Sequence, residues 1–115
     1  MSRDKVYLKD VLTAMLDVVA YLDDMTVEAL LADRKTAASI YWNLGVMGEA
    51  TKRIPMSLRD DHPEIPWKLM AGMRDKLIHG YNEIDTEQVH GAVVDVIPPL
   101  IPKIEAIIAS LPDPE

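Results

Sequence analysis

Apolar residues return along this chain with the period of an α-helix. Leu8, Leu12, Met15, Val19 and Leu22 fall at offsets 0, 4, 7, 11 and 14, on one stripe of a 3.6-residue helix. Asp10, Thr13, Asp17 and Asp24 take the other side. Ile40, Leu44, Met47, Thr51 and Ile54 repeat those offsets, predicting a second long helix from near Thr36 to about Ile54, stopped by Pro55. Between the two, Thr26 has the chemistry of an N-cap for a short helix over Val27–Ala32, with Asp33 at its end. No segment alternates as a strand does, and no segment repeats another.

Residues 60–66, with Asp60, Asp61, Pro63 and Pro66, read as a loop. Pro66 suits the first turn of a helix over 67–79, and Gly80 is placed to end it in a left-handed conformation. Residues 82–85 connect to a last helix capped by Asp85 or Thr86. Val89, Val93 and Val96 make its stripe, with Ile97 and Leu100 extending it. Pro98, Pro99 and Pro102 predict a kink or break, then a resumed turn through Ile104, Ile107, Ile108 and Leu111. The expected architecture is an all-α bundle of four main helices plus one short extra helix. It is one domain over residues 1–111 with a frayed tail at 112–115.

Composition narrows the class. The 115 residues are 49% apolar and 27% charged, as in a soluble globular domain and unlike a disordered chain. There is no Cys, which excludes disulfide scaffolds and thiol chemistry and fits a reducing cytoplasm. No run approaches the ~18 apolar residues of a membrane span, and the first residues lack the pattern of a signal peptide. The net charge of −7 repels bulk nucleic acid but leaves room for a local basic cleft. Lys52, Arg53, Lys68 and Lys76 are the candidates to supply it. With no Phe, four Tyr and two Trp, a base-stacking platform is poorly supported. Three His with no H-E-x-x-H pattern make a metal site improbable, and no cofactor is implied. The seven Met read as core filler, and Tyr7, Tyr21 and Tyr41 as core or interface residues. Trp42, Gly45 and Glu49 form a stripe nearly opposite the Ile40 stripe. Gly45 and Gly48 within a helix call for a close approach by another helix.

Only one segment is chemically loaded. Arg74, Asp75, Lys76, His79 and Tyr81 put a fixed cation, a carboxylate, an imidazole and a phenol within eight residues. Metal-free RNA cleavage needs such groups. The ribose 2′-hydroxyl must lose a proton and the leaving 5′-oxygen must gain one, and His serves either role near neutrality. Arg can hold two oxygens of the charged phosphate in a fork. A five-residue step rotates by about 140° on a helix, so Arg74 and His79 do not share a stripe. They converge if the helix end departs from ideality, or if a second copy completes the site. The same residues also suit a plain helix terminus, with basic side chains at the dipole end and His before Gly.

The stretch resembles the R-x4-H-x-Y signature of the HepT-like toxins, within the larger HEPN group of helical ribonucleases. Arg74, His79 and Tyr81 match its R, H and Y. The segments 3–10, 33–36, 43–50, 62–67 and 72–74 resemble the same family in the same order, so the likeness runs from about residue 3 to 110. It implies a HEPN-type bundle that pairs as a homodimer around a shared cleft. It further implies a metal-independent endoribonuclease toxin of a type VII-like module. The partner would be a minimal nucleotidyltransferase antitoxin of the MntA kind, which silences such toxins by adding AMP to the motif Tyr. Carried over, Arg74 binds the scissile phosphate, and His79 is general base or acid. Asp75 orients either, and Tyr81 accepts AMP. Apart from the resemblance, Glu49 is a candidate to stand at the dimer cleft and pair with Arg74, and Lys52, Arg53 and Lys76 are candidate RNA contacts; all four also suit an ordinary solvated surface. Two other readings remain at this point: a non-catalytic interaction module, and a nucleotide-binding accessory subunit of a nucleotidyltransferase.

Overall fold

The computed structural model describes residues 3–79 and 84–113, with the side chains of 77–79 excepted. These residues are helical, in seven α-helices and one π-helical turn, with no strand among them. The long helices are α1 (Asp4–Leu22), α3 (Arg34–Lys52), α5 (Trp67–His79) and α7 (Ile97–Ser110). The short ones are α2 (Val27–Ala32), α4 (Met56–Asp61) and α6 (Thr86–Gly91), and a π-turn over Ala92–Val96 joins α6 to α7. The long helices α1 and α3 form the central pair, α5 lies on α3, and α7 lies on α1.

The apolar stripes meet in one core. All five positions of the second stripe, Ile40, Leu44, Met47, Thr51 and Ile54, are buried. Thr51 donates its hydroxyl to the Met47 carbonyl at 2.7 Å, so the buried oxygen is satisfied. On α1 the buried face is wider than the five-residue stripe, because Val11, Ala14 and Val18 also face inward, between α3 and α7.

Caps set the boundaries. Thr26 Oγ1 accepts from Ala29 N at 3.1 Å, as expected for an N-cap. Asp33 ends α2 and also starts α3, accepting from Thr36 N at 3.0 Å. That dual use begins α3 two residues before the expected Thr36. At its far end α3 stops at Lys52, and Ile54 N returns to Thr51 O in a tighter turn.

Two features differ from the sequence reading. The first is α4, which takes Asp60 and Asp61 out of the expected loop. Pro55 offers its carbonyl to Leu58 and Arg59, and Arg59 then reaches back to α3. Its Nε and Nη2 donate to the Ile54 and Thr51 carbonyls at 2.9 and 2.8 Å. A cation thus adds to the bonding of the Thr51 carbonyl at the C-terminal end of α3 and closes the Ile54 carbonyl just beyond it. Trp67 Nε1 donates to the Arg59 and His62 carbonyls, at 3.1 and 2.9 Å, which locks the start of α5 onto α4.

The second is the last helix. Instead of a break, the chain widens into the π-turn just before Pro98 and Pro99, with Ile97 N bonded to Ala92 O. Proline has no N–H to close a normal turn, and an extra residue in the preceding turn absorbs the misfit. The insertion also rotates the stripe. Val96, expected inward, is 38% exposed, while Ile97 is buried. Pro102 sits inside α7. Beyond α7 the tail is held as far as Asp113, because Lys5 Nζ donates to the Leu111 carbonyl and to Asp113 Oδ1 at 3.2 and 2.6 Å.

Candidate active site

The loaded segment lies along α5, and α5 is placed by a glycine. A β-carbon on Gly48 would lie 2.8 Å from both the Cβ and the N of Arg74, and 2.9 Å from the Met70 carbonyl. Only a residue without a side chain lets α3 and α5 touch there, so the cost of Gly within a helix, up to ~1 kcal/mol, is offset by packing. Gly45 has no such reason. Nothing lies within 4 Å of its would-be β-carbon, so the close approach expected at both glycines occurs at one.

Contact with Gly48 fixes the Arg74 backbone beside Glu49. Glu49 Oε2 lies 3.2 Å from Arg74 Nε, and Arg74 Nη1 donates to Asp75 Oδ1 at 3.4 Å. The guanidinium is therefore held from two sides while its side chain stays 39% exposed. Its Nη2 makes no hydrogen bond among the described residues, which leaves two donors to meet an outside oxyanion. Asp75 Oδ1 also accepts from Lys52 Nζ at 2.6 Å, and Glu49 Oε1 lies 3.7 Å from Arg53 Nη2. Cations and carboxylates thus alternate in the order Lys52, Asp75, Arg74, Glu49, Arg53. The Lys52 ammonium is the first cause holding the Asp75 carboxyl below its ordinary value, and Arg74 adds to it. Exposed pairs of this kind add little to stability. Their effect is to orient Arg74.

The sequence-predicted residues divide accordingly. Arg74, Asp75, Glu49, Lys52 and Arg53 stand together. Lys76 stands apart, on another side of α5, with its Nζ 3.5 Å from Gln88 Oε1 on α6. His79 closes α5 with helical backbone; its side chain, and Tyr81 and Gly80, lie outside the described residues. Helical backbone through His79 keeps Arg74 and His79 about 140° apart around the axis. The other imidazoles lie elsewhere. His62 caps α4, and His90 Nε2 meets the Met25 carbonyl at 2.7 Å. Among the described residues, no group of three or more His, Cys, Asp or Glu is placed to hold a metal ion. No described helix is long and apolar enough to cross a membrane.

Sequence reasoning gave no part to Arg59 or Gln88. Arg59 left a faint signal, a cation shortly after a helix stop. Gln88 left none, because its place opposite Lys76 depends on how α6 folds back.

Comparison with known proteins decides the family. A profile of the ribonuclease HepT-like family matches residues 11–107. The chain belongs to that family. Among its relatives is the "Probable ribonuclease HepT" of Thermococcus cleftensis, 39% identical over 90% of this chain and 94% of that protein. Two Methanocaldococcus jannaschii proteins whose names carry the word RNase are 38% and 37% identical. Each aligns over 93% of this chain, covering 88% and 92% of their own lengths. No solved structure gives a significant match. In this HepT-like chain, Arg74 lies at the centre of the charged network, and the motif helix is the one that Gly48 seats.

Proposed function

We propose that this chain is a metal-independent endoribonuclease that works as a homodimer, the toxin of a module whose antitoxin is a minimal nucleotidyltransferase of the MntA kind. The observation that carries the reading is Arg74, oriented by two carboxylates with Nη2 left over for a ligand, in a HepT-like R-x4-H-x-Y segment.

In the reaction, the 2′-oxygen of one ribose attacks the adjacent phosphorus, and the bond from phosphorus to the 5′-oxygen of the next nucleotide breaks. A His79 imidazole takes the 2′-proton or delivers one to the departing 5′-oxygen. Arg74 holds the phosphate oxygens where charge collects. The products are a 2′,3′-cyclic phosphate, which water can open to a 3′-phosphate, and a free 5′-hydroxyl.

Two features support a dimer. Helical backbone through His79 keeps the motif Arg and His on different sides of one α5, so a pair of chains facing each other brings one of each together. Trp42 is 74% exposed on α3, one helical stripe with Glu49, and a large exposed aromatic is the usual anchor of an interface. Silencing follows from the motif phenol. The Tyr81 oxygen attacks the α-phosphorus of ATP, pyrophosphate leaves, the phenolic proton is lost, and a bulky anion then stands beside the cleft.

End chemistry tests the reaction. The 5′-fragment is expected to carry a 2′,3′-cyclic or 3′-phosphate, and an all-2′-deoxy strand to survive. Fragments ending in a 3′-hydroxyl would contradict the mechanism. Co-expression with the cognate nucleotidyltransferase is expected to add AMP mass to wild type and none to Tyr81→Phe; equal gains would move the acceptor elsewhere.

A further inference from the structure

On the side of α5 away from Glu49, α3, α5 and α6 bound a cavity of about 440 Å³. That is the size of a small-ligand site. Leu44, Leu69, Met73 and Val89 make its wall apolar, and Gly72 leaves the α5 side open. Its rim is polar and cationic: Lys68 and Lys76 both reach it from α5, and Gln88 faces them from α6. Neither ammonium pairs with a carboxylate among the described residues. One carboxylate also lines it, Asp85, whose Oδ1 caps α6 by accepting from Glu87 N and Gln88 N at 3.0 and 3.2 Å. On a chain of net charge −7, an apolar slot under two cations with no carboxylate partner among the described residues is a local exception.

We infer that this cavity is a nucleotide subsite of the RNA strand, taking one unstacked base between Leu69, Met73 and Val89 and its flanking phosphates on Lys68 and Lys76. The inference rests on the ribonuclease reading and adds to it where the strand runs. Charge complementarity selects the occupant, since a purely apolar ligand would have no use for the two lysines. Gln88 supplies an amide that can pair with a base edge. The motif lies on the same helix: His79 follows Gly72 by seven residues, a net turn of about −20° on α5, so its backbone is on the cavity side. A base held here sets which phosphate comes to His79.

Gly72 gives the test. Nothing lies within 4 Å of its would-be β-carbon, so a side chain can leave the helix there, and Gly72→Leu extends one into the slot while replacing a helix-interior glycine. Binding is measured with an RNA oligonucleotide 2′-O-methylated throughout, which cannot be cleaved, and with a series in which one abasic residue is walked along it. Gly72→Leu is expected to weaken the intact strand about tenfold. One abasic position is expected to weaken wild type similarly, and there the two proteins bind alike. Lys76→Gln is expected to lower the salt slope of binding by about one. A thermal melt checks that Gly72→Leu is folded, and Gly72→Ala gives a smaller filling with a smaller effect.

Equal affinity of wild type and Gly72→Leu for every strand would overturn the subsite. So would a loss that no abasic position removes. Cleavage of unmodified RNA by the same wild-type preparation keeps the two readings apart: a cleaving enzyme indifferent to Gly72→Leu loses the subsite alone. A wild type that neither binds nor cleaves RNA, yet binds AMP in a way Gly72→Leu abolishes, would overturn the RNA strand as occupant.

Discussion

Gly48 and Arg74 touch backbone to backbone: a β-carbon on Gly48 would sit 2.8 Å from the Arg74 nitrogen. The obstacle is main chain and cannot rotate away, so α5 itself must give if Gly48 gains a side chain. The chemical group most sensitive to that movement is the Arg74 guanidinium, held against Glu49's carboxylate. A displacement of about 1 Å at a reacting group can cost on the order of 10²-fold in rate. Gly48→Ala is therefore expected to lower RNA cleavage by at least tenfold. Gly45→Ala, where space is open within the chain, leaves α5 in place and is expected to lose less activity than Gly48→Ala and to gain about 0.5–1 kcal/mol in the stability of the chain. Cleavage rates and chemical melts of the two variants check this; equal activity in both would remove the positioning role of Gly48.

Glu49 holds Arg74 Nε at 3.2 Å. Removing the carboxylate frees the guanidinium to swing. Glu49→Ala is expected to lower kcat about tenfold or more with little change in KM, in the range typical of residues that orient a reacting group. Glu49→Gln retains an acceptor oxygen and is expected to recover most of that loss. A KM effect in place of a kcat effect would make Glu49 a substrate contact.

Acid should loosen the same network. Lys52's hydrogen bond holds the Asp75 carboxyl below its ordinary value of 3.8. The backbone N–H of Thr36 does so for Asp33, and Lys5 for Asp113. A carboxyl depressed in the folded chain stabilises it above the ordinary value, and that contribution is lost as pH falls through the lower folded value. The melting temperature is expected to fall as pH drops below about 4. A variant combining Asp33→Asn, Asp75→Asn and Asp113→Asn is expected to fall less; its amide oxygen at position 33 can still cap α3. Identical pH profiles would show that these pairs do not couple to folding.

Trp42 tests the dimer. At 74% exposure it contributes little to the core of one chain, so Trp42→Glu should leave the fold intact. Sedimentation is expected to give twice 12.9 kDa for wild type and a monomer for the variant. A wild-type monomer at micromolar concentration would contradict the shared cleft.

The sequence made the helices legible wherever burial followed a regular period. The stripe from Ile40 to Thr51 is buried at every position because α3 keeps one α-helical phase along its length, and the tighter turn after it still buries Ile54. The Val89-to-Leu100 stripe failed at Val96, because the prolines force a π-turn whose extra residue resets the phase. Helix α4 was missed because its worth is tertiary: one Arg59 bonded to the end of α3. At the site, the residue types of the motif were readable from the chain. The alternation of Lys52, Asp75, Arg74, Glu49 and Arg53 was not, since it joins two helices whose register is set by a glycine's missing side chain. Of the two glycines singled out, pattern alone could not tell that Gly48 is pressed and Gly45 is open.

The most direct measurement is cleavage of RNA in excess EDTA by wild type, Arg74→Ala and His79→Ala, purified side by side. Wild type is expected to cleave, and each variant to be slower by about 10²-fold or more. Cleavage at one rate by all three would contradict a site built on Arg74 and His79. Loss of all cleavage on adding EDTA to an active wild type would contradict a metal-independent reaction.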